Sequence, residues 1–203
     1  MDQNMWEIED SVFGKGIHAI CGVDEAGRGP LAGPVCAAAV ILPPHVDLPG
    51  LNDSKKLTDK RRRELFPIIK EKAVAYAVAF ADEREIDGIN ILQATFRAME
   101  RAVDGLSVKP EYILVDGNKL PMLAVPAEAV VHGDSLSASI AAASILAKVT
   151  RDDLMRKYAE DFPQYGFEVH KGYGTKVHYE ALRKHGPCPI HRMTFLKKFY
   201  GEE

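Results

Sequence analysis

Cysteine is scarce in this chain of 203 residues, and its three cysteines form no Cys-x-x-Cys pair. Cys21 and Cys36 lie in apolar runs, where a free cysteine behaves as a small hydrophobic residue. This pattern argues against the disulfide framework of a small secreted domain and predicts a reduced, cytoplasmic protein. A zinc site is also disfavoured, because His185, Cys188 and His191 supply only three ligands and have two prolines among them.

Membrane and common hydrolase signatures are missing as well. No apolar run reaches the roughly 18 residues of a membrane-spanning helix, and the acidic first ten residues lack the apolar core of a signal peptide. The sequence contains neither G-x-S-x-G nor a P-loop with its lysine. Acyl transfer by a serine nucleophile and NTP hydrolysis therefore have no support, and no membrane partner is expected.

The chain also lacks a global basic field, since its formal net charge is −3. The charge is unevenly distributed, however: residues 166–198 contain seven Lys or Arg against two Glu. A basic segment on an acidic body suits an anionic partner whose chemistry needs carboxylates elsewhere. A merely solvated surface would show the same distribution, so charge alone leaves both interpretations open.

With 46% apolar and 27% charged residues, the chain can bury a core. Strand and helix patterns alternate along it, which predicts an α/β fold. Strands are predicted at 17–23, 35–42, 73–81, 112–117 and 128–131, and helices at 58–72, 90–106, 135–158 and 175–185. Thr58 is expected to cap the first helix and Pro67 to kink or split it. The first sixteen residues are expected to form a loosely held tail.

Acidic side chains end three of the apolar segments: Asp24 and Glu25, then Asp116, then Asp134. In an α/β sheet, side chains at strand ends can converge on one ligand. Four converging carboxylates repel one another unless divalent cations neutralise them, and oxygen-only ligands favour Mg²⁺ or Mn²⁺. Two such ions about 3.5–4 Å apart are the usual apparatus for attack of water on a phosphodiester.

Two alternatives stay open for these acids. Each Asp on its own is as readily explained as the cap of a turn or helix, and Asp134 before Ser135 fits that role well. Glu25 raises a different question, because neighbours on a regular strand face opposite ways. Asp24 and Glu25 reach one site only if the strand ends or bulges there.

A Gly-Arg-Gly turn, residues 27–29, follows the first pair of acids. Glycine allows positive φ and close approach of the backbone to a ligand, and successive backbone N–H groups form an anion-binding nest. Arg28 adds a planar fork of donors.

Five motifs together resemble the bacterial ribonuclease HII family, and the resemblance extends from residue 17 to about 198. They are DEAGRGPLAGP (24–34), DSKKL (53–57), VDGN (115–118), SIAAASILAKVTRD (139–152) and HKGYGT (170–175). The related type HIII characteristically has Lys at the position of Arg28 and an extra N-terminal domain, so type HII is the better match. The resemblance implies an RNase H-like α/β fold, with a mixed sheet flanked by helices. It also implies a leader at 1–16 and a domain at 17–203, divided into a catalytic core at about 17–160 and a basic helical extension at about 161–203.

The resemblance also implies roles for individual residues. Asp24, Glu25, Asp116 and Asp134 match the family's four catalytic, metal-binding acids. Gly27, Arg28 and Gly29 match the turn that recognises the ribose 2′-hydroxyl, the group that distinguishes RNA from DNA. Tyr173 matches the aromatic residue that stacks on the following sugar. A substrate-facing loop is matched by Asp53, Ser54, Lys55 and Lys56.

The expected function is endonucleolytic hydrolysis of the RNA strand of RNA–DNA hybrids and cleavage 5′ of ribonucleotides embedded in duplex DNA. Two Mn²⁺ or Mg²⁺ ions are expected during catalysis, with 3′-hydroxyl and 5′-phosphate products. The protein is expected to be a monomer. The alternatives are another nuclease of the same fold, of the resolvase or transposase type, and a non-catalytic hybrid-binding module.

Overall fold

A computed structural model describes residues 4–201, in which a mixed five-stranded sheet is flanked by helices. The strands are β1 (Ile20–Ala26), β2 (Val35–Ile41), β3 (Ala75–Ala81), β4 (Tyr112–Asp116) and β5 (Ala127–Val130). The helices are α1 (Glu7–Phe13), α2 (Asp59–Lys72), α3 (Glu83–Asp104), α4 (Gly133–Leu136), α5 (Ala138–Asp161), α6 (Phe167–His170), α7 (Lys176–His185) and α8 (Met193–Tyr200), with a 3₁₀ turn at Pro163–Tyr165. This architecture confirms the predicted fold class.

The strand order is β3-β2-β1-β4-β5, with β1 at the centre. β1 pairs antiparallel with β2 and parallel with β4, and β5 is parallel to β4. β3 pairs antiparallel with β2. The carboxyl ends of β1, β4 and β5 therefore lie at one edge of the sheet, where the acidic segments were predicted to meet.

Alternation along β1 assigns its two faces to different helices. Cys21 and Val23 belong to the core that packs against α3. Gly22 faces α5, and a Cβ atom there would lie 2.1 Å from the backbone carbon of Ser139. The backbone of α5 thus rests directly on β1, which the small residues at the start of this helix permit.

The expectation of a loosely held N-terminal tail is wrong for the described residues. Residues 7–13 form α1, in which Glu9 and Val12 are buried. Glu9 accepts hydrogen bonds through Oε1 from Ser137 Oγ at 2.7 Å and from the Ser139 N–H at 3.0 Å. Helix α1 therefore docks on the start of α5. Residues 1–3 of the predicted tail lie outside the described part of the chain.

Three helix predictions need correction. The helix predicted at 135–158 is divided at Ser137, whose extended backbone separates α4 from α5 and whose hydroxyl caps α5. The helix predicted from Asn90 is preceded by a further segment, because α3 starts at Glu83 and Asn90 (φ 69°) interrupts it. Pro67 does not split α2, which runs from Asp59 to Lys72 with Pro67 on its exposed face.

The region after α5 is helical, as predicted, and Thr175 caps α7 through the N–H of His178. This region has its own core with Leu31, Met155, Tyr165 and Phe167 among its members. The boundary near residue 161 stays a prediction, although α5 ends at Asp161. In residues 4–201, none of the helices combines the length and apolarity needed to span a bilayer.

Candidate active site

Three carboxylates meet at the sheet edge: Asp24 of β1, Asp116 of β4 and Asp134 of α4, here called the carboxylate cluster. One oxygen atom from each lies within 4.8 Å of the others. Val23 is the register partner of Val115, so the next residues, Asp24 and Asp116, are neighbours on adjacent parallel strands. The predicted convergence of these three acids is confirmed.

The third carboxylate is delivered by a sharp reversal after β5. His132 adopts a left-handed conformation (φ 58°), and Gly133 has no room for a Cβ atom, which would lie 2.5 Å from Ile140 Cδ1. Asp134 then donates its backbone N–H to Asp116 Oδ1 at 3.4 Å. The interpretation of Asp134 as the cap of the long helix is wrong, because Ser137 caps α5 while the Asp134 side chain is buried in the cluster.

The electrostatics of the cluster fit a divalent cation. Burial raises the pKa of Asp24 well above its usual range, and repulsion from Glu25 and Asp116 raises it further. Burial and Asp116 likewise raise the pKa of Asp134, against the opposing effect of Lys55. Mutually repelling, buried oxygen ligands are the donor set that hard divalent ions neutralise.

Glu25 lies on the other side of the sheet edge. Strand β1 continues through Ala26 without a bulge, so Glu25 faces opposite to Asp24 and lies outside the carboxylate cluster. Arg28 Nη1 is 3.5 Å from Glu25 Oε1. Burial raises the pKa of Glu25, while Arg28 lowers it and Asp116 raises it. Its side chain and Asp116 border a pocket of about 290 Å³.

The 53–56 loop covers the start of α4 and α5, but its four residues face different ways. Asp53 and Ser54 are buried; Ser54 Oγ is 2.5 Å from Ser144 Oγ. Lys55 reaches the cluster, with its Nζ 3.2 Å from Asp134 Oδ2 while 77% of its side chain remains exposed. Lys56 Nζ donates to Ser135 Oγ at 3.2 Å. Only the two lysines can therefore contact a large ligand.

The Gly-Arg-Gly turn and Tyr173 share one exposed surface beside the cluster. Gly27 has φ +97°, whereas Arg28 and Gly29 are solvent-exposed. A Cβ atom on Gly29 would lie 3.6 Å from Tyr173 Cε1, and Tyr173 itself is 44% exposed. The structure thus brings together the turn and the aromatic side chain, which are more than 140 residues apart in sequence.

Two residues behind this surface were missed by sequence reasoning. Arg151 and Arg192 are almost completely buried, and their guanidinium groups bind backbone carbonyls of residues 27–34. Arg192 was counted only within the basic C-terminal segment. No local pattern distinguishes it from exposed neighbours such as Lys197, so burial had to be seen in the structure.

Comparison with known proteins agrees with this geometry. The ribonuclease HII family model matches residues 21–198. Ribonuclease HII of Desulfitobacterium hafniense (strain DSM 10664 / DCB-2) is 58% identical over 92% of this chain and 72% of its own length. That of Idiomarina loihiensis is 61% identical over 87% of this chain and 94% of its own length. The crystal structure of the ribonuclease H2 from Pyrococcus horikoshii OT3 has a TM-score of 0.73 at 26% identity and covers 91% of this chain and 99% of that one.

The fold, the acidic cluster and the sequence matches lead to one assignment. The chain belongs to the ribonuclease HII family and is a divalent-metal-dependent endoribonuclease of the type 2 ribonuclease H class.

Proposed function

We propose that the protein hydrolyses the RNA strand of RNA–DNA hybrids and cuts on the 5′ side of ribonucleotides embedded in duplex DNA. The observation that carries the proposal is that Arg28, in the exposed turn that contacts Tyr173, lines the same pocket as Asp116 of the carboxylate cluster. A phosphodiester held at the cluster would have its sugar next to the turn, so chemistry and sugar recognition would occur at adjacent positions.

In this proposal, Asp24, Asp116 and Asp134 hold the ions, and Glu25 contributes negative charge from the opposite face of the sheet edge. Bound Mg²⁺ or Mn²⁺, two ions during catalysis, supply the Lewis acidity that activates water and stabilises the leaving 3′-oxygen. Because water is the nucleophile, the products carry a 3′-hydroxyl and a 5′-phosphate.

The remaining site residues bind the nucleic acid. The ammonium groups of Lys55 and Lys56 neutralise backbone phosphates without reading sequence. Tyr173 stacks on the sugar that follows the scissile ribonucleotide. Asp53 and Ser54 act indirectly, by shaping the loop that carries the lysines: Asp53 Oδ1 accepts a 2.8 Å hydrogen bond from the Lys55 N–H.

Family membership favours this function over both alternatives, the resolvase-type nuclease and the non-catalytic hybrid-binding module. A DNA-only nuclease has no use for a turn that recognises a 2′-hydroxyl, and a pure binding module has no use for three converging carboxylates that repel one another. The monomeric state and the cytoplasmic location stay predictions.

The test is a cleavage assay on end-labelled 25-base-pair duplexes that contain one ribonucleotide, none, or a full RNA strand. With Mg²⁺ or Mn²⁺, we expect cutting of the hybrid and a single cut 5′ of the lone ribonucleotide. EDTA should abolish both cuts, and the all-DNA duplex should stay intact. End mapping should find a 5′-phosphate on the ribonucleotide fragment; a 2′,3′-cyclic phosphate on the other fragment, or cutting that persists in EDTA, would contradict the proposal.

A further inference from the structure

Two buried guanidinium groups lie directly behind the Gly-Arg-Gly turn. Arg192 donates from Nη2 to the carbonyl of Gly27 at 2.6 Å, from Nη1 to that of Arg28 at 2.9 Å and from Nε to that of Gly33 at 2.9 Å. Arg151 binds the later part of the same loop, with its donors on the carbonyls of Ala32, Pro34 and Lys171. In residues 4–201, neither guanidinium forms an ion pair with a carboxylate.

Burying two cations without an anionic partner is costly, and here backbone carbonyls alone satisfy them. Burial and the nearby Arg151 charge lower the pKa of Arg192 to about 9, so the group still carries its charge at neutral pH. Lysine could not replace it, because a single ammonium group cannot span the three carbonyls that the planar guanidinium fork reaches. An apolar side chain would fill the same space without the desolvation cost of a buried charge. Arg192 therefore acts by fixing the backbone geometry of the turn.

The bonds from Arg192 determine which way the turn's amides point. In a trans peptide the C=O and the following N–H lie in one plane and point in opposite directions. Because Arg192 holds the carbonyls of Gly27 and Arg28 on the buried side, the N–H groups of Arg28 and Gly29 project to the exposed side. Neither N–H has an acceptor within residues 4–201. Two adjacent, unpaired N–H groups thus face outward beside Tyr173.

We propose that Arg192 is a positioning residue for ribonucleotide recognition. Its guanidinium orients the Gly27–Arg28 and Arg28–Gly29 peptide planes so that their N–H groups donate to the ribose 2′-oxygen. The inference rests on the proposed function and adds a role for Arg192, which directly precedes α8 and does not itself contact the substrate. A phosphate oxygen is the other acceptor that such a pair of N–H groups could take, and the experiment separates the two.

The test compares Arg192→Lys with Arg151→Lys, the loss of an equally buried guanidinium that packs against Gly27 but donates to the carbonyl of neither Gly27 nor Arg28. Dissociation constants are measured by fluorescence anisotropy in EDTA, where nothing is cut, for two duplexes that differ only in one 2′-hydroxyl. We expect Arg192→Lys to reduce the ribonucleotide preference, Kd(deoxy)/Kd(ribo), by about tenfold, the effect of one well-placed hydrogen bond, without changing Kd for the deoxy duplex. Arg151→Lys should lower the thermal midpoint but keep the preference.

Three results would overturn the inference. The ribonucleotide preference could be unchanged in Arg192→Lys, or Arg192→Lys could lose affinity equally for both duplexes, which would indicate a phosphate site. The third result is an equal loss of preference in Arg151→Lys. If Arg192→Lys fails to fold, ¹⁵N NMR of the unmodified protein decides the matter. The Arg28 and Gly29 amide signals should shift with the ribonucleotide duplex and not with the deoxy duplex, and identical shifts would count against the proposal. Failure of the proposed function looks different, since the unmodified protein would then not cut beside the ribonucleotide at all.

Discussion

At the scale of single residues, the central feature is a carboxylate placed where its own charge is disfavoured. Asp24 is 3% exposed and is repelled by the charges of Glu25 and Asp116, so burial and repulsion both raise its pKa. The folded chain tolerates this arrangement because a divalent cation can neutralise it. Asp24 therefore has two effects: its charge destabilises the protein without a cation, and its carboxylate supports activity with a cation bound.

The substitution Asp24→Asn should abolish detectable cleavage, a loss of more than about a hundredfold, since even losing an outer partner of a metal ligand costs about 10–100-fold. Hybrid affinity in EDTA should stay within about threefold, because a repulsive charge is removed and no phosphate-binding cation is touched. Cleavage rates and fluorescence anisotropy measure the two effects. Asp104→Asn, at the exposed end of α3, is the control; retained cleavage in Asp24→Asn would remove this residue from the metal site.

Two buried histidines link the C-terminal region to the Tyr173 loop. His191 Nδ1 accepts the Cys188 N–H at 2.9 Å, which places its proton on Nε2, 3.0 Å from His178 Nε2. His178 in turn donates from Nδ1 to the carbonyl of Tyr173 at 2.9 Å. This pattern assigns both rings as neutral. His170 stacks on His178, and Tyr165 packs against both His178 and His191, so among the described residues these two imidazoles lie against other aromatic rings.

Acid should therefore destabilise the protein through His191. Burial and His178 lower its pKa from 6.5 to about 4, so below pH 6.5 the unfolded chain binds a proton that the folded chain rejects. Above pH 6.5, His191 is neutral in both states and does not reduce the free energy of unfolding. As the pH falls from 6.5 toward 4, this free energy decreases, by about 2 kcal/mol between pH 7.5 and 5. Urea unfolding at both pH values should show a smaller loss in His191→Gln, and an equal loss in both proteins would refute this origin.

Residue roles were predictable from the sequence to different degrees. Asp24, Asp116 and Asp134 each follow an apolar segment, so their convergence could be predicted, but the left-handed turn at His132 that precedes Asp134 could not. The orientation of Glu25 was left open, and it proved to be the one expected for an unbroken strand. The burial of Arg151 and Arg192 could not be predicted, because it depends on which carbonyls distant segments bring to them.

At the scale of elements, a backbone-to-backbone contact joins β1 to α5 at Gly22. A Cβ atom on Gly22 would lie within 2.5 Å of three backbone atoms of Ser139 and Ile140. Backbone atoms cannot move aside as a flexible side chain can. The short distance between β1 and α5 therefore depends on the absence of a Cβ atom at Gly22. The position of Asp24, two residues later, depends on it as well.

Gly22→Ala should lower the free energy of unfolding by about 3 kcal/mol or more, because overpacking here must displace α5. Gly88→Ala is the matched control: this glycine lies in α3 with no atom near its Cβ position, so alanine should stabilise the helix by about 0.5–1 kcal/mol. Urea denaturation measures both. A Gly22→Ala protein as stable as the parent would show that β1 and α5 are less tightly packed than described.

Apolar periodicity predicted the strands to within a few residues, but it located helix breaks poorly. Ser137 interrupts a helix that was predicted to be continuous, and the segment of α3 before Asn90 was not predicted. Asn90 shows why, since its side chain accepts the N–H groups of Leu92 and Gln93 and so caps the second segment of α3 from inside a helical pattern. Such side-chain bonds compete locally with the helix, and their outcome depends on tertiary packing.

At the scale of the whole molecule, both ends of the described chain support the site. Helix α1 binds the start of α5 through the bond between Glu9 and Ser137. Ser137 directly follows α4, the helix that carries Asp134. The C-terminal region is joined to residues 31–33 by backbone hydrogen bonds from Leu31 to Gly172, from Gly33 to Ile190 and from Arg192 to Leu31. The predicted leader and extension are thus both packed against the predicted core.

Glu9→Ala should cost about 1–3 kcal/mol of stability, because Ser137 Oγ and the Ser139 N–H lose their buried acceptor. Glu7→Ala, an exposed acid in the same helix, should change stability by less than about 0.5 kcal/mol. Thermal and urea unfolding of the two variants provide the measurement. Equal stabilities for both would mean that α1 is as dispensable as the sequence suggested.

The bond between Arg192 and Gly27 joins residues 165 positions apart. During synthesis, a domain's first segments are available to fold long before its last. A nascent chain that has not yet reached residue 192 already contains all three carboxylates of the cluster, but it lacks the guanidinium that binds the carbonyls of Gly27 and Arg28. If Arg192 has the proposed role, translation would complete the metal-binding residues before the residue that orients the turn, so discrimination between RNA and DNA would be acquired later in synthesis than metal binding.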